Sequence, residues 1–241
     1  MKSKERKYVT FFLLRPFVAK LFHGEAGKKS YCHLKHVCIN SRGHYTTLMS
    51  QAQSIEKFIT AIYPLPAASL QSFLQIWKPF TAARKTILTR AGETERNLYF
   101  VTEGIQRVYY YDEQDREATI VFTYAPSFGG VADSFLTETP SRFFAETLTP
   151  STFLKTSFQQ LDALMKADHQ IERMIRILSN HAFAGVLERM IEIQCFTAEE
   201  KFKTLLKRSP HLLNLIPHKY IASYLGIDAS NFSKLLAKIR I

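Results

Sequence analysis

The side chains best suited to recognising a polyanion lie near the end of the sequence. A run that begins at Asp228 carries short polar residues and basic residues on the face opposite its apolar positions. An asparagine amide on such a face can pair with both edge atoms of adenine, and lysine or arginine can neutralise phosphate. The candidates for contact with bases are Ser230, Asn231 and Lys234, with Ser233 on the same outward face. The candidates for contact with phosphates are Lys219, Lys238 and Arg240.

Two short helices are predicted to position these residues. Pro217 suits the first turn of a helix over 218–225, because a proline needs no hydrogen-bond partner for its nitrogen there. Gly226 permits a left-handed turn, and Asp228 is a good N-cap for a second helix that ends at about Ile239. This spacing predicts a helix-turn-helix, with an ordinary helical hairpin as the alternative.

The middle of the chain predicts a β-rich domain after a helix over 67–77. Short runs rich in Val, Tyr and Phe, such as 98–102, 105–111 and 118–124, alternate with turn residues. Strands of this length and spacing indicate a β-sandwich or a small barrel.

A long helix is predicted over 171–193, where apolar residues recur at helical spacing. Its apolar surface is wider than one packing face needs, so a partner helix in a homodimer is the simplest explanation. The alternative is that both faces pack within one subunit. The predicted dimer contacts are Ile171, Ile175, Leu178, Ala182 and Val186.

Catalytic and metal sites are not expected. A metal-dependent β-barrel enzyme needs histidines on its strands, but none lies between Phe80 and Ser157. No nucleophile and base pair is recognisable either. The remaining candidate ligands, Cys32, His33, His36 and Cys38, match no common zinc spacing.

The net charge of +11 is uneven along the chain. Both ends, 1–48 and 197–241, are basic, whereas 49–196 is mildly acidic. A basic C-terminal end suits a nucleic-acid partner, although a solvated lysine-rich surface would look the same. The three cysteines form no disulfide framework and suit a cytoplasmic location. The apolar run near the start is too short to span a membrane, so no membrane partner is expected. We interpret 1–48 as a disordered extension, or as sequence upstream of a true start at Met49.

These elements together resemble the Crp/Fnr family of transcription regulators over about residues 50–241. The run 98–109 resembles the family's central strand, glycine and strand, and 221–227 resembles the first helix and turn of its DNA-binding unit. Residues 127–130 and 140–142 resemble its phosphate-binding cassette. The resemblance implies an α+β fold: a double-stranded β-helix (jelly-roll) sensor over 49–160, a dimerisation helix over 161–195 and a winged helix-turn-helix over 196–241.

The resemblance also implies function. It predicts a homodimeric, non-enzymatic transcription regulator that binds double-stranded DNA, and it leaves RNA polymerase open as a further partner. A signalling module that acts through a protein partner is the alternative. The ligand-site candidates are Gly129, Gly130, Ser141, Arg142 and Phe143.

The cassette departs from the family pattern at two of these positions. Gly130 stands where the family has a glutamate that binds the ribose hydroxyl, and Phe143 stands where it has a small hydroxyl residue. Cyclic AMP is therefore not expected as the effector, and a small anionic effector held by Arg142 stays open. The alternative role for Arg142 is an ion pair with Asp133 or Glu138.

Overall fold

The computed structural model describes residues 41–238, so the predictions for Arg240 and for 1–40 lie outside the described residues. The first helix begins at Ser41, before Met49, and the interpretation of 1–48 stays a prediction. The helices are α1 (Ser41–Ile62), α2 (Ala67–Gln75), α3 (Ala132–Thr137), α4 (Phe158–Ala167), α5 (His169–Cys195), α6 (Ala198–Arg208), α7 (Leu212–Leu215), α8 (His218–Leu225) and α9 (Ala229–Lys238).

Two four-stranded antiparallel sheets form the β-roll that the sequence predicts. The strands are β1 (Lys78–Ala82), β2 (Ile87–Thr89), β3 (Asn97–Glu103), β4 (Ile105–Tyr111), β5 (Glu117–Tyr124), β6 (Ser127–Gly129), β7 (Phe144–Thr147) and β8 (Ser151–Ser157). One sheet has the order β1-β8-β3-β6, and the other has the order β2-β7-β4-β5. The three strands that we located from Val, Tyr and Phe content are therefore confirmed as β3, β4 and β5.

Helices α1, α2, α4 and α5 pack together against the first sheet. Their shared core is rich in aromatic residues: Phe58 lies edge-on to Phe100 and Phe128, with ring centroids 5.4 and 5.6 Å apart. Burial of such large rings is the main favourable term that holds these helices on the roll.

The long helix α5 differs from its predicted role over its first half. Ile171, Ile175 and Leu178 are buried in the aromatic core of their own subunit, so they are not available to a second subunit. Ala182 is half-buried, whereas the Val186 side chain is 56% exposed. The reason is that α1, α2 and α4 cover this half of α5. The segment 161–195 is also two helices, because the chain breaks at Asp168, whose carboxylate caps α5.

The exposed apolar surface of α5 lies in its second half. The large apolar side chains exposed there are Phe183, Val186, Leu187, Met190, Ile191 and Ile193. We call these six residues the α5 stripe. The apolar residues in the first half of α5 thus pack in the core of their own subunit, and those in the second half form an uncovered surface.

The C-terminal domain consists of helices α6 to α9 around one apolar core. Phe202, Ile221, Leu225 and Phe232 are fully buried in it. The helix bounds 218–225 and the start of the next helix after Asp228 are as the sequence predicts. Residues 196–238 contain no strand, so the wing of the expected winged domain is not among the described residues.

Candidate functional site

The turn between α8 and α9 shapes the candidate DNA-contact surface. Gly226 adopts a left-handed conformation with φ +65°, and its N–H donates to the carbonyl of Ser223 at 3.1 Å. The Asp228 carboxylate then caps α9 by accepting a hydrogen bond from the Asn231 N–H at 2.8 Å. A glycine conformation and an aspartate cap therefore fix the start of the second helix, as the spacing predicts.

The four residues that we predicted on the outward face of α9 are all exposed. They are Ser230, Asn231, Ser233 and Lys234. In the free protein, two of them contact the capping carboxylate: the Ser230 hydroxyl donates to it at 2.6 Å, and the Asn231 amide donates at 2.7 Å. The hydrogen bond from the Ser230 hydroxyl, and after it the one from the Asn231 backbone N–H, lowers the pKa of Asp228. The side-chain bond from Asn231 uses one N–H of its amide, which has a second N–H and a carbonyl oxygen.

The predicted phosphate contacts lie at two edges of this surface. Lys238 is exposed and pairs with Glu199 at the start of α6, at 2.9 Å. Glu199 also pairs with Lys203, and hydrogen bonds from the two lysines lower its pKa to about 2. Lys219 is exposed at the start of α8, with its ammonium 4.8 Å from the centre of the Tyr220 ring.

A buried arginine joins the β-roll to the C-terminal helical domain. The Arg107 side chain is 3% exposed and pairs with Glu146 at 2.5 Å and with Glu117 at 2.7 Å. Its guanidinium lies 4.0 Å from the centre of the Tyr109 ring and 3.7 Å from that of Tyr220 in α8. Burial opposes the charge of Arg107, but hydrogen bonds to both carboxylates raise its pKa overall. We call this group the roll clasp.

A second arginine group joins α5 to the same helix α8. Arg189 lies 3.9 Å from the centre of the Tyr224 ring and donates to the Tyr224 carbonyl. It also pairs with Glu192 at 2.9 Å, and Glu192 is buried and accepts from Arg208 of α6 as well. We call this group the helix clasp. Tyr220 and Tyr224 are one turn apart, so α8 is held by both clasps at once.

Further contacts fix α8 against strand β5. The Thr119 N–H donates to the Ser223 hydroxyl at 2.9 Å, and the Phe122 and Tyr224 rings lie 5.2 Å apart. Sequence reasoning missed the clasps. The available signals were two tyrosines four residues apart on α8 and an arginine inside a predicted strand rich in Val and Tyr.

The cassette residues lie at one end of the roll, and most of them make intramolecular contacts. Ser141 is buried, and its hydroxyl accepts from the Phe143 N–H at 2.9 Å and donates to the Phe143 carbonyl at 2.8 Å. The Phe143 ring packs against the apolar lining of the roll, which includes Val108, Val131 and Ala145. The position of the family's phosphate-binding hydroxyl is therefore filled by an aromatic ring.

Arg142 is exposed, and neither of the ion pairs that we considered for it forms among the described residues. Glu138 lies 3.7 Å from Arg96 instead. The structural alternative for Arg142, an ion pair with Asp133 or Glu138, is thus not observed.

A buried carboxylate that sequence reasoning missed occupies the cassette. Glu95 is 3% exposed, and its carboxylate accepts hydrogen bonds from the Thr89 hydroxyl and from the Asn97 N–H, the latter at 3.0 Å. It also accepts from the N–H of Val131, the residue that precedes α3. Burial raises the pKa of Glu95, against the hydrogen bonds that lower it. The cassette therefore already holds a carboxyl group of its own chain, which accepts the N–H groups of Asn97 and Val131.

Gly130 is adapted to this carboxylate. It has φ +93°, and a Cβ atom there would lie 3.4 Å from the Glu95 carboxylate and 3.1 Å from the Tyr99 ring. A glutamate at 130 would thus meet a strained backbone and a like charge.

Neither a metal site nor a membrane helix is seen in the part of the chain that the structure describes. No three potential ligands cluster within 41–238. None of the helices in this range is both long and apolar enough to cross a bilayer.

Comparison with known proteins supports the fold. Residues 80–168 match the cyclic nucleotide-binding domain family. FixK2 of Bradyrhizobium japonicum superposes with a TM-score of 0.61 at 17% identity, over 68% of this chain and 84% of that one. A transcriptional regulator of the Crp/Fnr family from Eubacterium rectale gives 0.58 at 16%, over 72% and 83%. The c-di-GMP-responsive regulator CLP of Xanthomonas campestris gives 0.56 at 15%, over 72% and 91%.

A sequence search of curated proteins gives no match. The predicted resemblance to the Crp/Fnr regulators is therefore confirmed at the level of the fold, through the β-roll domain and these solved structures.

The raised pKa of Glu95 predicts how stability depends on pH. The folded state favours the protonated form of Glu95. The stability that Glu95 contributes is therefore full below its pKa in the unfolded chain, about 4.3. This contribution is lost as the pH rises through the higher pKa of the folded state. Relative to wild type, Glu95→Gln should therefore gain stability as pH rises across this window. Urea unfolding at several pH values, with the exposed Glu93→Gln as control, measures the difference. An equal pH response for both variants would contradict the burial of the Glu95 charge.

Proposed function

We propose that this protein is a homodimeric transcription regulator in which a β-roll sensor controls how a helix-turn-helix binds DNA. The observation that carries this proposal is the outward face of α9, where Ser230, Asn231, Ser233 and Lys234 are exposed together at the start of a capped helix. Residues at the start of such a helix contact base edges when the helix enters the major groove. The fold of the Crp/Fnr regulators supports the same assignment.

The α5 stripe supports the dimer. It places Phe183, Val186, Leu187 and Met190 on the surface at intervals of three, one and three residues, and their side chains are 45–63% exposed. Two such helices from two copies bury these faces against each other when they pack side by side. A dimer presents two α9 helices to two half-sites, so the operator should be palindromic.

The cassette argues against cyclic AMP as the effector. The Glu95 carboxylate is buried beside Gly130 and accepts the Val131 N–H, Gly130 removes the acceptor for the ribose hydroxyl, and Phe143 replaces a phosphate donor. Loss of one acceptor for a buried hydroxyl costs roughly 1–3 kcal/mol, a factor of about 5 to 150 in affinity.

Asn231→Ala should test base recognition. Binding to a site selected from pooled genomic fragments should weaken by roughly 1–3 kcal/mol, whereas binding to a random duplex should stay unchanged. Fluorescence anisotropy of labelled duplexes measures both. Lys238→Ala, which removes a phosphate contact, should weaken both duplexes alike and reduce the salt slope by about one.

Gln75→Ala, an exposed amide on α2, is the control and should change neither duplex. Equal losses on the selected and the random duplex for Asn231→Ala would overturn its role in base recognition. If wild type binds no duplex at low salt, the assignment as a DNA-binding regulator is wrong.

Charge in the α5 stripe should separate the dimer without unfolding the subunit. Phe183→Asp should sediment as a folded monomer at tens of micromolar, because the side chain is 63% exposed in one subunit. Leu178→Asp is the contrasting variant and should unfold the sensor domain, because Leu178 is 4% exposed within its own core. Wild type that sediments as a monomer at the same concentration would refute the dimer.

Isothermal titration should detect no low-micromolar binding of cyclic AMP or cyclic GMP to wild type. The reasons are the buried Glu95 carboxylate beside Gly130 and the missing ribose acceptor and phosphate donor described above. A dissociation constant in the low micromolar range for either nucleotide would show that the cassette opens to ligand.

A further inference from the structure

A second candidate ligand site lies between the β-roll and the DNA-contact unit. A cleft of about 370 Å³ opens beside the roll clasp. Its lining comes from the β1–β2 loop, from the roll and from the start of α8: Arg84, Lys85, Arg107, Glu146, Leu148, Pro217, Lys219 and Tyr220. This volume lies in the range of sites for small metabolites. We call it the joint cleft.

The joint cleft carries an excess of positive charge. The roll clasp offsets only one of the positive charges of the cleft, because Arg107 is paired with both Glu146 and Glu117. Arg84, Lys85 and Lys219 are exposed, and none of them has an ion pair among the described residues. Two of these three cations belong to the sensor and the third belongs to α8, so like charges from two domains converge here. Such an arrangement is unfavourable on its own and favours a bound anion.

The loop that supplies the two sensor cations is held in a defined conformation. Lys85 has φ +64°, which is rare for a residue with a side chain. Its N–H donates to the Thr147 carbonyl at 2.7 Å, and the next N–H, of Thr86, donates to the Thr147 hydroxyl at 2.9 Å. A lysine at a position that favours glycine places an ammonium at the cleft at some cost in backbone energy.

We propose that the joint cleft binds a small phosphorylated molecule with two or more negative charges. Arg84 and Lys85 bind it from the sensor side and Lys219 binds it from α8, so the ligand bridges the two domains in this arrangement. Lysine and arginine together suit phosphate groups, through point charge and through paired hydrogen bonds. This site is separate from the cassette, whose exposed cation is Arg142.

The regulatory consequence rests on the proposed function. Lys219 is a candidate contact for the phosphates of DNA, so a ligand in the joint cleft competes for the same ammonium and weakens DNA binding. If the ligand does not weaken DNA binding, the competition is refuted. The ligand site is still judged by calorimetry without DNA, and DNA binding is still judged by anisotropy without ligand.

Inorganic pyrophosphate is the probe, titrated calorimetrically into the full chain at constant ionic strength. Wild type should bind it. Lys85→Gly should weaken binding about threefold to fivefold, as expected for one partly exposed ion pair, and Arg84→Gln combined with Lys85→Gly should weaken it about tenfold or more. Glycine suits φ +64°, so Lys85→Gly should keep the melting temperature at or above that of wild type.

Two controls decide where the anion binds. Lys78→Gln removes an exposed cation on β1, which pairs with β8 in the other sheet, and should leave the affinity unchanged. Arg142→Gln tests the cassette and should also leave it unchanged. If Arg142→Gln abolishes binding while Lys85→Gly does not, the anion binds in the cassette and the proposal is wrong. Absence of pyrophosphate binding to wild type at millimolar concentration would also overturn it.

Discussion

The buried charge of Arg107 is the constraint on which the arrangement of the two domains depends. A guanidinium that is 3% exposed is tolerated only with paired carboxylates and filled surroundings. The β-roll supplies Glu146 and Glu117, and Tyr109 covers part of the guanidinium. The Tyr220 ring that also covers it comes from α8. The buried guanidinium is therefore fully covered only when the C-terminal helical domain lies against the roll.

The helix clasp adds a second constraint on the same helix. Tyr224 is held by Arg189 of α5, and Glu192 links Arg189 to Arg208 of α6. Since Tyr220 contacts the roll and Tyr224 contacts α5, α8 cannot keep both contacts if α5 rotates against the roll. The first half of α5 is fixed in the sensor core, whereas its second half carries the uncovered α5 stripe. A partner helix on that stripe would thus act close to the residues that hold α8.

Local pattern was sufficient to predict the parts of the molecule that local chemistry determines. Proline, glycine and aspartate at 217, 226 and 228 predicted both helices of the helix-turn-helix, because caps and left-handed turns depend on neighbouring residues. Periodicity predicted α5 but not which half is covered, because α1, α2 and α4 cover it from elsewhere in the chain. Glu95 and Arg107 were missed for the same reason. Their roles depend on partners 36 and 39 residues away in Val131 and Glu146, which no short motif reveals.

The buried Glu95 changes what the cassette can contribute to regulation. In a site that is open to an anion, binding energy from the ligand can order the segment around α3. Here a carboxylate of the chain already accepts the Val131 N–H and the Asn97 N–H, so these donors are satisfied without a ligand. An external group that took these donors would leave the buried Glu95 carboxyl without its hydrogen-bond partners. The cations that are free of ion pairs within the described residues and shared between the domains lie at the joint cleft instead. An anion bound at the joint cleft would therefore contact α8 directly, whereas an anion bound in the cassette would not.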